Sequence, residues 1–291
     1  MRTVDAAVKP RRMGLNASRA LLNAVVYTLL VLAILVMCFP IAWMLSISFR
    51  PNVEVMKIPP DWLPQVFTLE GYKKFFSNPR YLGVFFNTLL ISAIVTILSL
   101  ILGALAAYAL ARFRFKGHRA VMMFLIITQM FPLVLLCIPY FRVFITLGLY
   151  DTIIALIVVY LTFTLPFVIL MLRSYFLNIP RDMEEAAMVD GCTRYGAIFR
   201  ILFPMSYPAF IGAGLYTFLL AWNEFLFAVV LIESWENRVL TMAIYSLLAE
   251  FVTDWNTMMA FSVLASLPLI GAFIFLQRYM VQGMTGGALT S

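Results

Sequence analysis

The sequence predicts an all-α integral membrane protein with six transmembrane helices. Three observations carry that prediction. Hydrophobic residues make up 63% of the 291 residues and charged residues only 12%, against roughly 45–50% and about 25% in ordinary globular domains. The apolar residues are gathered into six runs, each reaching the ~20 residues that cross ~30 Å of hydrocarbon as a helix. None of the runs alternates as a membrane β-strand does, and a helix satisfies its own backbone hydrogen bonds in lipid. This composition excludes a typical cytosolic enzyme, a disordered chain and a disulfide scaffold.

The first run, 21–47, follows a basic arm, 1–20. It is too long for the core of a cleavable signal peptide, so it is expected to stay as a span, peripheral to the rest. A polar stretch, 48–83, leads to the second run, 84–111. The third is 120–141, the fourth 152–172, the fifth 207–232 and the sixth 257–277. Pro40, Pro132, Pro139, Pro166 and Pro268 lie in these runs. Each removes a backbone donor and tends to bend a helix. Ordinary bundle packing explains any single one, because membrane helices tolerate proline. Pro132 and Pro139, two turns apart in one run, are the exception and predict a bent third span.

Six spans put both termini on one side, and the charge says which. With the termini inside, the inner segments hold 14 of the 21 Lys and Arg and the outer segments 7. This bias favours cytoplasmic termini. Arg112, Arg114, Lys116 and Arg119 in the short loop 112–119 are the clearest marker. The net charge of +7 is therefore read as cationic inner loops, not as a nucleic-acid surface. Cys38, Cys137 and Cys192 are an odd number without metal spacing, so neither a disulfide framework nor a metal site is expected. His118, the sole histidine, has no metal or catalytic partner near it in sequence and reads as a solvated loop residue.

The segment between the fourth and fifth runs, 178–204, has a helix written into it. Pro180 suits a first turn, and Asp182, Glu184 and Glu185 crowd the positive end of the helix dipole. Gly191 suits the C-terminal cap, where a positive φ is needed. Thr193 is placed to cap a second short helix. Met183, Ala186 and Ala187 fall at helical spacing, and small side chains on one face allow close approach of another surface. Two readings stay open on these residues alone: a helix seated in a partner's groove, or one lying on the bilayer.

The run Glu185-Ala186-Ala187-x3-Gly191-x9-Ile201-x-Phe203-Pro204 resembles the EAA loop of ABC importer permeases, E-A-A-x3-G-x9-I-x-L-P. It departs at Phe203, where leucine is usual, and Cys192 stands where alanine is common. The chain is similar over roughly 27–288 to the smaller six-span subunit of maltose-type carbohydrate permeases. Asn87-Thr88-Leu89, the segment 106–112, Trp222-Asn223-Glu224-Phe225 and Gln277-Arg278-Tyr279 with Gly283 also carry the likeness. The tail lacks the basic Lys-Gly pair common in relatives. The resemblance implies a type I ABC importer permease fold with an arm (1–20), a first helix (21–47), an external loop (48–83), a core permease domain (84–283) and a cytoplasmic tail (284–291).

It further implies a multi-pass subunit of a prokaryotic cytoplasmic membrane. Its expected partners are a second homologous permease subunit, two ATP-binding cassette ATPase subunits, an extracellular or periplasmic solute-binding protein and the lipid bilayer. Its substrate would be a sugar, by preference a disaccharide or oligosaccharide. Met183, Glu184, Glu185, Ala186, Ala187, Asp190 and Gly191 would couple it to the ATPases. No phosphate-binding G-x-x-x-x-G-K-[ST] loop is present, so the chain is expected to be neither an enzyme nor a holder of cofactor, ATP being bound by the partner subunits.

Glu224 is the one acidic residue inside a run. An ionised carboxylate facing lipid is costly, so it should face protein or water. Trp222, Asn223 and Glu224 together offer stacking and hydrogen bonding, the two ways in which sugars are held. They are candidates for the translocation pathway, with Gln129 beside Pro132 a weaker one. Pairing of Glu224 with the partner permease, and an interhelical hydrogen bond from Gln129, are the competing readings. The outer segment 233–256, with Glu233, Glu236, Glu250, Asp254, Trp235 and Trp255, is long enough to meet a binding protein. A membrane enzyme would need convergent polar groups that the spans lack. An ion-coupled secondary transporter would bury more charge. The same importer architecture for glycerol phosphate esters or another small polar solute is the nearer alternative.

Overall fold

The computed structural model describes the backbone over residues 13–248 and 253–286 and side chains over 19–248 and 253–278. Residues 1–12, Glu250 and the tail beyond 286 lie outside the described residues. All regular structure among them is helical. In chain order the elements are α1 (Met13–Ser48), α2 (Asn52–Val55), α3 (Glu70–Ser77), α4 (Pro79–Arg112), α5 (His118–Met130), a 3₁₀ turn (Leu133–Leu136) and α6 (Cys137–Thr146). Then come α7 (Ile153–Asn178), α8 (Asp182–Val189), α9 (Arg194–Ala197), a π turn (Ile198–Leu202), α10 (Phe203–Met205) and α11 (Tyr207–Trp222). The chain closes with α12 (Leu226–Leu231), a 3₁₀ turn (Trp235–Asn237), α13 (Leu240–Leu248) and α14 (Trp255–Gly286).

Among the described residues four helices, α1, α4, α7 and α14, are long and apolar enough to cross a membrane singly, and the number reaches six if each of two bent pairs is one span. The third and fifth runs are therefore not the straight helices their hydropathy implies. The third bends by 98° between α5 and the segment Leu133–Thr146. The reason is Pro132: the residue before a proline is pushed out of the helical region, and Phe131 is extended, with ψ 130°. Pro139 falls in the first turn of α6, where its missing N–H costs nothing. The fifth is preceded by a segment, Arg194–Met205, that meets α11 at 74°, and α11 stops at Trp222 instead of running to 232. The outer segments 48–83 and 233–256, read from sequence as loops, hold α2, α3 and α13.

The core is built where α4 meets α7. Gly103 of α4 allows close approach: a Cβ there would sit 2.6 Å from Cγ1 of Val168. Ala104, Ala107 and Ala111 continue the small face and are buried. Ser99 and Thr164 hydroxyls lie 2.8 Å apart across the same seam. Small residues with a buried hydroxyl pair are how membrane helices associate when lipid removes the hydrophobic drive between them. α11 packs over this pair, and Leu172, Phe176, Ile198, Leu202 and Ala209 fill the end nearest α8.

α1 stands apart. Every described side chain from 19 to 42 is exposed, and the helix engages its neighbours only near its end. There a polar knot ties it to α14. Asn256 Nδ2 donates to the Ser48 carbonyl, and Gly71 N donates to Asn256 Oδ1. Asp254 accepts from Asn52 Nδ2, Thr257 Oγ1 and Lys74 Nζ, each at 2.7 Å. Burial pushes the Asp254 carboxyl up, but the donation from Lys74, Thr257 and Asn52 outweighs it and holds the group well below the usual carboxylate range. A depressed pKa contributes stability that is fully present above the unfolded value near ~4 and is lost as pH falls toward the folded value. The knot should therefore be indifferent to pH across the neutral range. Asp254→Asn is expected to lower the unfolding temperature at pH 7, and the gap from the unsubstituted protein should narrow when both are measured at pH 3. A gap that stays constant would show that the carboxylate charge is not what the knot uses.

Candidate functional site

Two places collect the chemistry of the sequence: the segment around α8 and a break in the fifth span.

α8 ends as its sequence demands. The Cys192 amide donates to the Ala187 carbonyl and the Gly191 amide to the Met188 carbonyl, which is the Schellman pattern. Gly191 takes φ +90°, with open space around it, so glycine is needed there for conformation and not for room. Thr193 Oγ1 accepts from Gly196 N at 3.1 Å and starts α9. The two short helices are thus closed at their junction by local hydrogen bonds.

The face that α8 turns to the bundle differs from the one its small residues imply. Glu184 and Ala187 are buried, while Met183, Glu185, Ala186 and Asp190 are exposed. Met183, Ala186 and Ala187 therefore do not form one outward face, because Glu184 has a partner that turns the helix. Its Oε1 lies 2.6 Å from Arg112 Nη2 and accepts from Arg112 Nε at 2.7 Å. Its Oε2 accepts from the Tyr108 hydroxyl at 3.1 Å. Arg112 Nη2 also donates to the Ile179 carbonyl at 3.0 Å. Both nitrogens converge on the one oxygen, each bond is charge-assisted and so stronger than a neutral one, and both side chains are less than a tenth exposed. This locks α8 to the last turn of α4. Val189, Tyr195 and Phe199 in the same segment are bare, at 87%, 76% and 58% exposure. Arg112 and Tyr108 went unnamed as site residues in the sequence, although both sit in the segment 106–112; nothing local pairs them with a residue over seventy positions away.

The second place is the gap between α11 and α12. Asn223, Glu224 and Phe225 leave the helix, and Phe225 takes φ −129°. The Glu224 side chain folds forward onto the next helix: Oε1 accepts from Phe227 N at 2.9 Å and Oε2 from Ala228 N at 3.2 Å. Those amides open α12 and have no partner within it, and a carboxylate suits the positive end of the helix dipole. The Glu224 carbonyl, freed by the break, accepts from Thr241 Oγ1 at 2.8 Å, which fastens α13. The Leu240 amide in turn donates to Thr88 Oγ1, and Asn87 Nδ2 donates to the carbonyls of Glu236 and Arg238.

The other candidates lie as follows. Trp222 is buried, donates from Nε1 to the Ala265 carbonyl, and packs edge-on against Phe85 and flat against Phe218. Asn223 is exposed and donates to the Leu219 carbonyl in the last turn of α11. Gln129 is exposed, with Nε2 on the Phe163 carbonyl of α7 at 3.0 Å, an interhelical bond. Glu224 and Asn223 are adjacent at the break, and Gln129 connects to it indirectly, since the Phe163 ring stacks on Phe227 with centroids 6.1 Å apart. Among the described residues no cluster of three or more His, Cys, Asp or Glu could hold a metal ion.

Residues 99–286 match the family model described as binding-protein-dependent transport system inner membrane component. The chain is similar to the inner membrane ABC transporter permease protein YcjP of Escherichia coli K12, 37% identical over 266 residues, covering 90% of this chain and 95% of that one. It is similar to the trehalose/maltose transport system permease protein MalG of Thermococcus litoralis, 33% identical, covering 89% and 94%. In fold it resembles a crystal structure of a bacterial ABC transporter involved in import of the acidic polysaccharide alginate. The TM-score is 0.75 at 23% identity, over 93% of this chain and 99% of that one.

Proposed function

Since the chain belongs to the family of binding-protein-dependent transport system inner membrane components, we propose that it forms half of the translocation pathway of a carbohydrate importer and receives ATP-driven motion through α8. A disaccharide or short oligosaccharide is the proposed cargo, in line with a relative named for trehalose and maltose. A second homologous permease subunit completes the pathway, two ATP-binding cassette ATPases dock on α8 and its copy from below, and a solute-binding protein delivers the sugar from outside. Both termini, α8 and the loop 113–117 lie on the cytoplasmic side of the cell membrane, as the excess of inner arginine and lysine favours.

The observation that carries the reading is the state of α8. It is short, closed at its end by local hydrogen bonds, held to α4 by a buried ion pair, and bare of cover on the side that carries Met183, Glu185 and Val189. A helix so held moves as a body with α4. Pushing it displaces a span that crosses the membrane, which is what rocking between inward-open and outward-open states requires. Glu185 supplies the polar contact to the ATPase. Glu224 holds the break that shapes the pathway, with Asn223 beside it as the exposed polar group.

Reconstitution with the three kinds of partner tests this. Gly191→Pro removes the amide bonded to Met188 and forbids the positive φ. The expected result is a subunit that inserts and permits ATP hydrolysis but imports sugar at least about tenfold more slowly. Normal import by this variant would remove the coupling role from α8.

A further inference from the structure

We infer that the cavity between the 113–117 loop, the start of α5 and the end of α7 binds the phosphate of an anionic phospholipid headgroup. It is open and about 880 Å³ in volume, and its polar lining is Arg114, His118, Arg119, Arg173 and Arg181. No acidic residue lines it. Its depth follows from the helices around it, since α4 ends at Arg112 and α7 at Asn178; this is where spanning segments leave hydrocarbon for headgroups. Basic pockets between spans at that depth are suited to anionic lipid.

Two kinds of basic group meet here. Arg173 and Arg181 are held by the end of α4: Arg173 Nε donates to the Leu110 carbonyl and Arg181 Nη2 to the Arg112 carbonyl, both at 3.2 Å. Their fixed positions leave the remaining donors available. Arg114 and Arg119, by contrast, have no hydrogen bond or ion pair with any described residue, and the buried Nδ1 of His118 has no partner among them either. Two unpaired guanidinium groups call for an acceptor, as does the buried His118 Nδ1 when it carries the ring proton, and guanidinium forks match phosphate oxygens. The apolar part of the lining points to lipid over a free solute. Phe115, Met123 and Leu177 border the charged groups and are 44–59% exposed. This places an apolar rim where the glycerol and upper acyl chain of a seated lipid would lie.

The test uses the full chain, purified in detergent, titrated with dioleoylphosphatidylglycerol or dioleoylphosphatidylcholine and read by native mass spectrometry. The anionic lipid should be retained and the zwitterionic one lost. Arg114→Gln with Arg119→Gln should weaken retention by about fivefold for each charge removed. Neither residue has a partner to lose, so the fold is undisturbed; an unchanged melting temperature checks that. Lys116→Gln, in the same loop but outside the lining, should retain lipid as the unsubstituted chain does. Equal loss in Lys116→Gln would mean a diffuse charge effect and overturn the site. Glycerol 3-phosphate binding as tightly as the lipid, and displacing it, would mean that a soluble anion is read and overturn the lipid assignment. Exclusion of the lipid on assembly with the ATPase subunits would make the cavity a protein contact and overturn it too.

Discussion

Glu184→Ala should destabilise the protein by about 3–5 kcal/mol and abolish ATP-driven import. The size follows from what is left behind. Arg112 is 6% exposed and Glu184 9%, and removing one member of a buried pair strands the other's charge without compensation. The Tyr108 hydroxyl loses its acceptor at the same time. A second variant separates folding from coupling. Arg112→Met with Glu184→Leu replaces the pair by apolar groups, a change that is often neutral for stability. Its melting temperature should return close to that of the unsubstituted protein. Import should stay low if the ion pair transmits the motion of α8, because apolar contact restores packing without the rigid two-nitrogen grip. A Glu184→Ala protein that melts normally would refute the anchor itself, and full transport in the double variant would reduce the pair to a packing role.

Glu224→Ala is the other large effect. It strips the Phe227 and Ala228 amides of their acceptor at a helix start, with each hydrogen bond to a charged group contributing about 1.5–3 kcal/mol. The α13 attachment through Thr241 depends on the same break. The expected outcome is a lower unfolding temperature and at least about a tenfold fall in import. Glu224→Gln keeps one carbonyl acceptor but no charge, and it divides the two roles open to the residue. If Glu224 serves only as a cap, glutamine restores most of the stability and the transport together. If its carboxylate also meets the sugar, glutamine restores stability while the half-saturating sugar concentration for transport rises. The comparison thus reads a substrate contact apart from a structural one.

What could be read from the chain tracks the range of the interactions involved. The span runs depend on local hydropathy: four appear as single long helices, and the third and fifth as parts of bent pairs. Gly191 and Thr193 act through hydrogen bonds to residues at most five positions away, so the end of α8 and the start of α9 were legible. The bend of the third span was legible for the same reason, since Pro132 acts on Phe131. Hydropathy cannot see the break in the fifth span, because Trp222, Phe225 and Leu226 read as helix as well as any neighbour. Nor does the apolar character of 19–42 say that this segment leans on the bundle only at its end.

The sequence by itself determined that this is a helical membrane protein, and how the two short helices of the segment 178–204 begin and end. These are properties of composition, of helical spacing and of caps a few residues wide. Only the tertiary structure decided which of two adjacent carboxylates faces inward. Glu184 and Glu185 are equivalent to any local rule, and the choice belongs to Arg112, seventy-two residues earlier on another helix. It likewise decided that Glu224 folds onto its own backbone, because a carboxylate in a membrane takes the nearest donors, and those donors exist only once the helix has broken.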